Sequence, residues 1–262
     1  MEPWLSSQSR LLALVILCTV LWSLESAIPL YKYKKHRLRR AVPNLTLTVL
    51  LVLMNLVLSF ASANVAGFSE NRGMGLFLLL KLPSWSTAVL GILALDCFAY
   101  FAHLLLHKSW VGWQFHRVHH SEREVNVTTA FRQHPGETLW RILWQVLAVA
   151  IFGLPFWVIV VYLVISALNA QFEHANIRVN ESLDRLLRLI VVTPNMHKVH
   201  HSRAQQQTDT NYSNIFSIWD RVCGTYTPII DFGQLRYGLD GFDDSNKQTL
   251  PALLKMPFTM DP

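Results

Sequence analysis

The stretch from Ile142 to Phe172, ILWQVLAVAIFGLPFWVIVVYLVISALNAQF, runs for 31 residues without a charge. As one helix it would cross a hydrocarbon core of about 30 Å with length to spare, leaving the residues after it on the opposite side from those before it. Gly153-Leu-Pro155 offers the alternative, because proline has no amide proton to donate and its ring clashes with the preceding turn. A break there makes a helical hairpin whose ends return to one side. The first arm, Ile142 to Phe152, covers about 17 Å at 1.5 Å per residue, which predicts a hairpin that dips into the membrane rather than crossing it.

What lies at the two ends decides between these forms. Upstream are His103-x-x-x-His107 and His116-x-x-His119-His120; downstream are His174 and His197-x-x-His200-His201. Residues at i, i+3 and i+4 share one helix face, so each cluster aims its imidazoles at one point. Neutral imidazole binds zinc, copper, iron or nickel, and one ion takes roughly four to six ligands. Eight convergent histidines, with His134 and His174 in reserve, suit two ions better than one. A single span would hold the clusters apart, whereas a hairpin brings them together. The expectation is therefore an all-α, polytopic membrane bundle with a cytosolic histidine-rich cap around a binuclear metal site.

The rest of the chain agrees with a membrane setting. It is 52% hydrophobic and 15% charged over 262 residues, too apolar for an ordinary soluble domain. Leu11 to Leu24 reads as a retained first span, since Glu25 and a basic block follow where a cleavage site would be. That block, Lys32 to Arg40, holds six basic residues and no acid, which equals the net charge of +6. Such concentration argues against a nucleic-acid surface, which needs basic residues spread over a folded face. It reads instead as a positive-inside signal that puts this loop, with a solvated His36, in the cytoplasm.

Ala41 to Ser69 is a second span, Met74 to Leu80 an interfacial or re-entrant piece, and Ser84 to His107 a third span ending at the cytoplasmic face. Trp110, Trp113, Trp140 and Trp144 read as interface anchors. Ser182 to Ile190 has the Leu and Ile spacing of a helix lying on a membrane surface. Cys18, Cys97 and Cys223 lie too far apart in sequence to suggest a disulfide framework. The chain divides into an N-terminal membrane region over 1–90, a catalytic region over 91–228 and a cytosolic tail over 229–262.

The order Asp96-x-x-x-Tyr100-x-x-His103-x-x-x-His107, His116-Arg-Val-His-His-Ser121, Thr128-Thr-Ala-x-Arg132-x-His134-Pro-x-Glu137, His197-x-Val-His-His-Ser202 and Asn211-Tyr-x-Asn-x-x-Ser217-Ile-Trp-Asp-Arg221 resembles the fatty acid hydroxylase superfamily, which includes sterol desaturases. The resemblance covers Gly91 to Pro228. It implies a membrane-bound non-haem di-iron monooxygenase or desaturase that uses O2 and two electrons to oxidise a C–H bond of a lipid, with hydroxylation the commoner outcome. By it the ligands are His103, His107, His116, His119, His120, His197, His200 and His201, with His174, in Gln171-Phe-Glu-His-Ala-Asn176, as a ninth. Asp96, Tyr100 and His134 stand beside them as candidate catalytic side chains. Leu104 departs from the family, whose members often carry arginine after the first histidine.

Carboxylates are expected to orient the rings through their second nitrogen. Asp96, two turns before His103 on the same face, is one candidate, and Glu137, Glu173 and Asp220 are others. The competing expectation for Asp220 is an ion pair with Arg221. No dinucleotide fingerprint is present, so electrons would come from a separate ferredoxin, cytochrome b5 or reduced pterin. A bacterial inner membrane is favoured over the endoplasmic reticulum. Two other functions fit a polytopic histidine-rich chain: a non-catalytic metal-binding membrane protein, and a metal transporter, whose ligands would lie along a path near the middle of its spans.

Overall fold

The structure is a computed structural model that describes residues 7–32, 37–228 and 232–259. The centre of the basic block, with His36, lies outside the described residues. The chain forms α1 (Ser7–Ala27), α2 (Arg37–Arg72), α3 (Leu76–Leu79), α4 (Ser84–Lys108), α5 (Trp110–His120), α6 (Pro135–Phe152), α7 (Phe156–His174), α8 (Glu181–Leu187), α9 (Pro194–His200), α10 (Gln205–Thr208), α11 (Ile218–Val222) and α12 (Leu250–Lys255). Among the described residues extended pairing is limited to two isolated bridges, Pro29 with Ile177 and Val191 with Phe216. Four helical stretches, Gln8–Ala27, Arg37–Leu79, Ser84–Lys108 and Phe156–His174, are long and apolar enough to cross a membrane. The protein is an integral membrane protein.

The uncharged stretch is a hairpin, but a deeper one than its apolar arm predicts. His134 caps α6 by accepting from the Gly136 amide at 3.0 Å, and Pro135 opens the helix, where its missing amide is harmless. With these two extra turns α6 has 18 residues, about 27 Å of helix. It ends on Gly153, left-handed at φ 66°, and Pro155 precedes α7. A Cβ on Gly153 would fall 2.7 Å from the Met74 carbonyl oxygen, and one on Gly75 would fall 2.4 Å from the Gly153 Cα. The tip therefore sits against the turn between α2 and α3, at the end of the bundle farthest from the histidines, and α6 runs the full depth beside α4. Met74 to Leu80 serves as its seat: Phe77 is buried, with its ring 5.1 Å from that of Phe152.

Leu95, Ala148, Val149, Leu154, Val158 and Ile159 form the core between α4, α6 and α7. At the histidine end α1 is fastened by Glu25, whose carboxylate accepts from the Val127 and Asn176 amides at 2.7 Å each and pairs with Arg37. The C-terminal segment is not a loose tail. Leu253 and Met256 pack with Leu47 of α2 and Val118 of α5, and Arg117 donates to the carbonyls of Met256 and Thr259.

The glycine contact at the hairpin tip yields a stability prediction. Gly153→Ala forces a side chain into a left-handed position against backbone and should cost about 1–3 kcal/mol, read as a lower melting temperature in detergent. Gly67→Ala, in α2 with nothing within 4 Å of its Cβ position, should be neutral or stabilising.

Candidate metal centre

Four helix ends converge on one point. α4 delivers His103 and His107, then Ser109 turns the chain by accepting from the Gly112 amide at 3.2 Å. α5 follows at once and presents His116, His119 and His120 on one face. Thr193 caps α9, accepting from the Met196 amide at 3.3 Å, and this short helix presents His197, His200 and His201. His174 closes α7. The nine histidines form two buried groups, His103, His107, His116, His120 and His200 in one, and His119, His174, His197 and His201 in the other; the candidate ligand atoms of each group lie within 4.8 Å of one another.

The nitrogens meet in a way that protons alone do not explain. In the first group the Nε2 atoms of His103 and His120 lie 3.0 and 3.1 Å from that of His116. In the second, Nε2 of His174 lies 3.0–3.1 Å from those of His119, His197 and His201. The outer nitrogens fix the tautomers. Nδ1 of His103 donates to the Tyr212 carbonyl at 2.8 Å, His119 to Arg132 at 3.2 Å, His174 to Ala170 at 2.7 Å and His200 to Thr210 at 2.8 Å. A neutral imidazole that donates through Nδ1 has only a lone pair at Nε2. Nε2 of His200, like that of His107, has no hydrogen-bond partner despite full burial. Lone pairs converging in a dry space repel one another unless a cation sits between them, so the residues present fit two bound metal ions.

Burial adds to this. It pushes the pKa values of His116, His119, His120, His197, His200 and His201 well below the ordinary histidine value, with the neighbouring rings adding to the shift. These rings are neutral, the form that ligates.

Carboxylates stand at the rim. Glu137 Oε1 is 3.0 Å from His116 Nδ1, and the Arg141 Nε donates to it at 2.8 Å. Asp209 Oδ1 lies 3.4 Å from His107 Nδ1, and Glu173 Oε1 3.8 Å from His197 Nε2.

Other expected site residues lie away from the rings. Asp96 shares a helix with His103, but its carboxylate accepts from the amides of Ile215 and Phe216 and from the Trp219 indole; seven residues carry it two turns out of reach. Tyr100 and Asp220 act at one remove. The Tyr100 hydroxyl meets Thr225 Oγ1 at 2.9 Å, Thr225 donates to Asp220 at 2.7 Å, and Asp220 accepts from the Tyr212 amide at 2.7 Å, while the Tyr212 carbonyl holds His103. Asp220 does not pair with Arg221, which donates to the Ser217 and Arg188 carbonyls instead. His134 belongs to neither group: with Nδ1 spent on the α6 cap, its Nε2 donates to the Leu254 carbonyl at 3.2 Å. Trp113 is less an interface anchor than a wall, its ring 5.2 Å from His107 and 5.4 Å from His120.

Two buried cations escaped sequence reasoning. Arg132 donates to the Val118 carbonyl, Asn44 and Ser121 while its own carbonyl holds His119. Lys198, lowered by burial to about 7, donates to the His174 and Ala175 carbonyls. A cation in the Thr128 to Glu137 motif hinted at the first. Lys198, between two histidines, carries no such signal in the sequence.

Glu137→Gln should weaken metal retention about 10–100-fold, the usual cost of losing a ligand's orienting partner, read by elemental analysis after dialysis against graded chelator. His134→Ala should leave the metal content unchanged and lower only the melting temperature.

The match to known proteins covers the same region. The family model for fatty acid hydroxylase matches residues 88–225. The chain is 31% identical over 144 residues to ornithine lipid hydroxylase OlsE of Rhizobium tropici, covering 55% of this chain and 43% of that protein. It is 34% identical over 170 residues to alkylglycerol monooxygenase of Danio rerio, covering 62% and 35%, and 28% identical over 165 residues to methylsterol monooxygenase 2-2 of Arabidopsis thaliana, covering 62% and 61%. No solved structure matches. The family match takes in more than half of the sequence and every histidine of the two groups, and the chain belongs to the fatty acid hydroxylase family.

Proposed function

We propose that this protein is a membrane-bound lipid oxygenase that inserts one oxygen atom from O2 into a C–H bond of a lipid. The single observation that carries the proposal is the pair of buried histidine groups with their Nε2 lone pairs turned inward, at the ends of apolar helices. His103, His107, His116, His120 and His200 would hold one iron, and His119, His174, His197 and His201 the other. Bound there, the two irons would supply the activation of O2. The overall reaction balances as one C–H bond, O2, two electrons and two protons giving a C–OH group and water.

The chain's own groups do the rest. Carbonyls of Tyr212, Arg132, Ala170 and Thr210 hold four rings in one tautomer, so the Nε2 atoms face inward without reorganisation. The nearness of Glu137 to His116 Nδ1, at 3.0 Å, and of Asp209 to His107 Nδ1, at 3.4 Å, supports a role for these carboxylates in orienting the rings. Burial keeps water from the site, which an oxidant strong enough for an alkyl C–H requires. The relatives bear the names of hydroxylases and monooxygenases of lipids, which supports a lipid substrate: a sterol, a fatty acyl chain or a related lipid. Electrons would come from a separate protein or a reduced pterin. The basic block at the histidine end of α2 supports a cytoplasmic site by the positive-inside rule, in a bacterial inner membrane. A transporter would need ligands strung along a path, and these gather at one end.

Protein purified without chelator from iron-rich cells should hold about two irons per chain, the number its two ligand groups can complete. With reductant, isotopically labelled O2 and a lipid extract it should yield a lipid carrying one labelled oxygen by mass spectrometry. His119→Ala and His200→Ala should each abolish that product. Iron near zero after anaerobic reconstitution, or unchanged product in the variants, would rule the oxygenase out.

A further inference from the structure

The loop from Asn214 to Trp219 follows the histidine motifs in sequence, yet it does not stay at the histidine end. It lies against the middle of two spans. Asp96 on α4 accepts from the amides of Ile215 at 3.1 Å and Phe216 at 2.9 Å and from the Trp219 indole at 2.8 Å. On α7, Ser166 and Tyr162 take the Asn214 amide group at 2.8 and 3.3 Å, and Asn169 donates to the Asn214 carbonyl at 2.7 Å. Ile215 is buried in the core with Leu95, Val158 and Ile159. Asp96 precedes His103 by seven residues and Ser166 precedes His174 by eight, so the loop is held about 10–12 Å along the helices from the histidines. A hydrocarbon core of about 30 Å measured along α4 from Ser84 takes about 20 residues; Asp96 falls well within it.

Non-helical backbone survives at such a depth only where its polar groups are satisfied inside the protein. Here they are. The amides of Tyr212 and Ser213 donate to Asp220, those of Ile215 and Phe216 to Asp96, and that of Ser217 to the Ile190 carbonyl, while the Ile215 carbonyl accepts from Val192. The buried carboxylate of Asp96, too far from the rings to orient them, has its purpose in this.

The Ser217 to Ile190 bond and the Val191–Phe216 bridge join this loop to the end of α8. The joint outer surface carries Leu183, Leu186, Leu189, Ile190, Ile218 and Val222, with Leu186 63% and Val222 72% exposed. Two of the cations beside it turn away, Arg188 pairing with Asp184 at 2.7 Å and Arg221 donating to the Ser217 and Arg188 carbonyls, while Arg185 stays exposed at its edge. An apolar surface of this extent is not left in water without a use. Its depth against α4 and α7, whose own outer faces expose Phe101, Leu163 and Ile165, identifies what covers it.

We infer that the surface formed by Leu183, Leu186, Leu189, Ile190, Ile218 and Val222 is embedded in the acyl chains of the leaflet on the histidine side. The membrane boundary then passes close to the level of the two histidine groups. A hydrocarbon chain reaches that level without first crossing a layer of water.

The test uses the full chain in phosphatidylcholine vesicles. Nitroxide labels are placed at Ile190→Cys, Val222→Cys and, as a polar control, Gln206→Cys, with Cys18, Cys97 and Cys223 changed to alanine. Collisions of each label with O2 and with a water-soluble nickel chelate are then compared by electron paramagnetic resonance. The labels at 190 and 222 should meet the chelate about tenfold less often than the label at 206, because hydrocarbon excludes polar solutes. A second measurement needs no substitution: the native, exposed Cys223 should react far more slowly with a charged maleimide in vesicles than in dissolved, denatured protein. Chelate access equal at all three positions, or Cys223 reacting equally fast in vesicles, would overturn the inference. So would protection that develops only when a second protein is added, which would make the surface a protein docking site.

Discussion

Nine neutral imidazoles with their free nitrogens turned toward two common points are unstable as bare protein, and the rest of the structure is arranged to hold them there. Each ring loses hydration on burial; four regain a hydrogen bond at Nδ1, but the inward Nε2 lone pairs repel one another unless a cation takes the centre. Were ions held there, their binding energy would be part of the folding energy of this region, as it is for structural metal sites generally. The four carbonyls that fix the tautomers come from three separate places: the loop carrying Thr210 and Tyr212, the turn at Arg132 and the helix body at Ala170.

The need to hold these places together explains the buried charges around the centre. Arg132 ties the Thr128 to Arg132 turn to α5 and α2, Lys198 draws α9 onto the end of α7, and Asp220 with Thr225 and Tyr100 fixes the Tyr212 carbonyl. Of these, only Lys198 brings its charge to a candidate ligand residue, at the His174 carbonyl. All are costly to bury alone and are retained where several hydrogen bonds offset the cost. Glu25 does the same for α1, joining the first span to the turn at Val127 and to the residues after His174.

The membrane bounds the arrangement from the other side. Helices that return to one end bring their termini together without any extended loop in hydrocarbon. The hairpin of α6 and α7 does this by crossing the full bundle depth, and its Gly153 to Gly75 contact sets the far limit. The loop at Asn214 to Trp219 is the exception that enters the span region, and it does so with its amides already engaged.

The sequence by itself determined the helical class, the membrane setting, the hairpin break at Gly153 to Pro155 and the histidine clusters, because periodicity, charge and ligand spacing are local properties of the chain. Tertiary structure decided which histidines share a point. His119 parts from His116 and His120 although all three share one helix face, since the two groups divide along directions that only packing sets. It also decided the fate of the polar residues. Asp96 and His134 sit in the motif beside ligands, yet one satisfies a distant loop and the other caps a helix and holds the C-terminal segment. Hydrogen-bond partners more than a hundred positions away leave no trace in local spacing, and that is why these assignments required the folded chain.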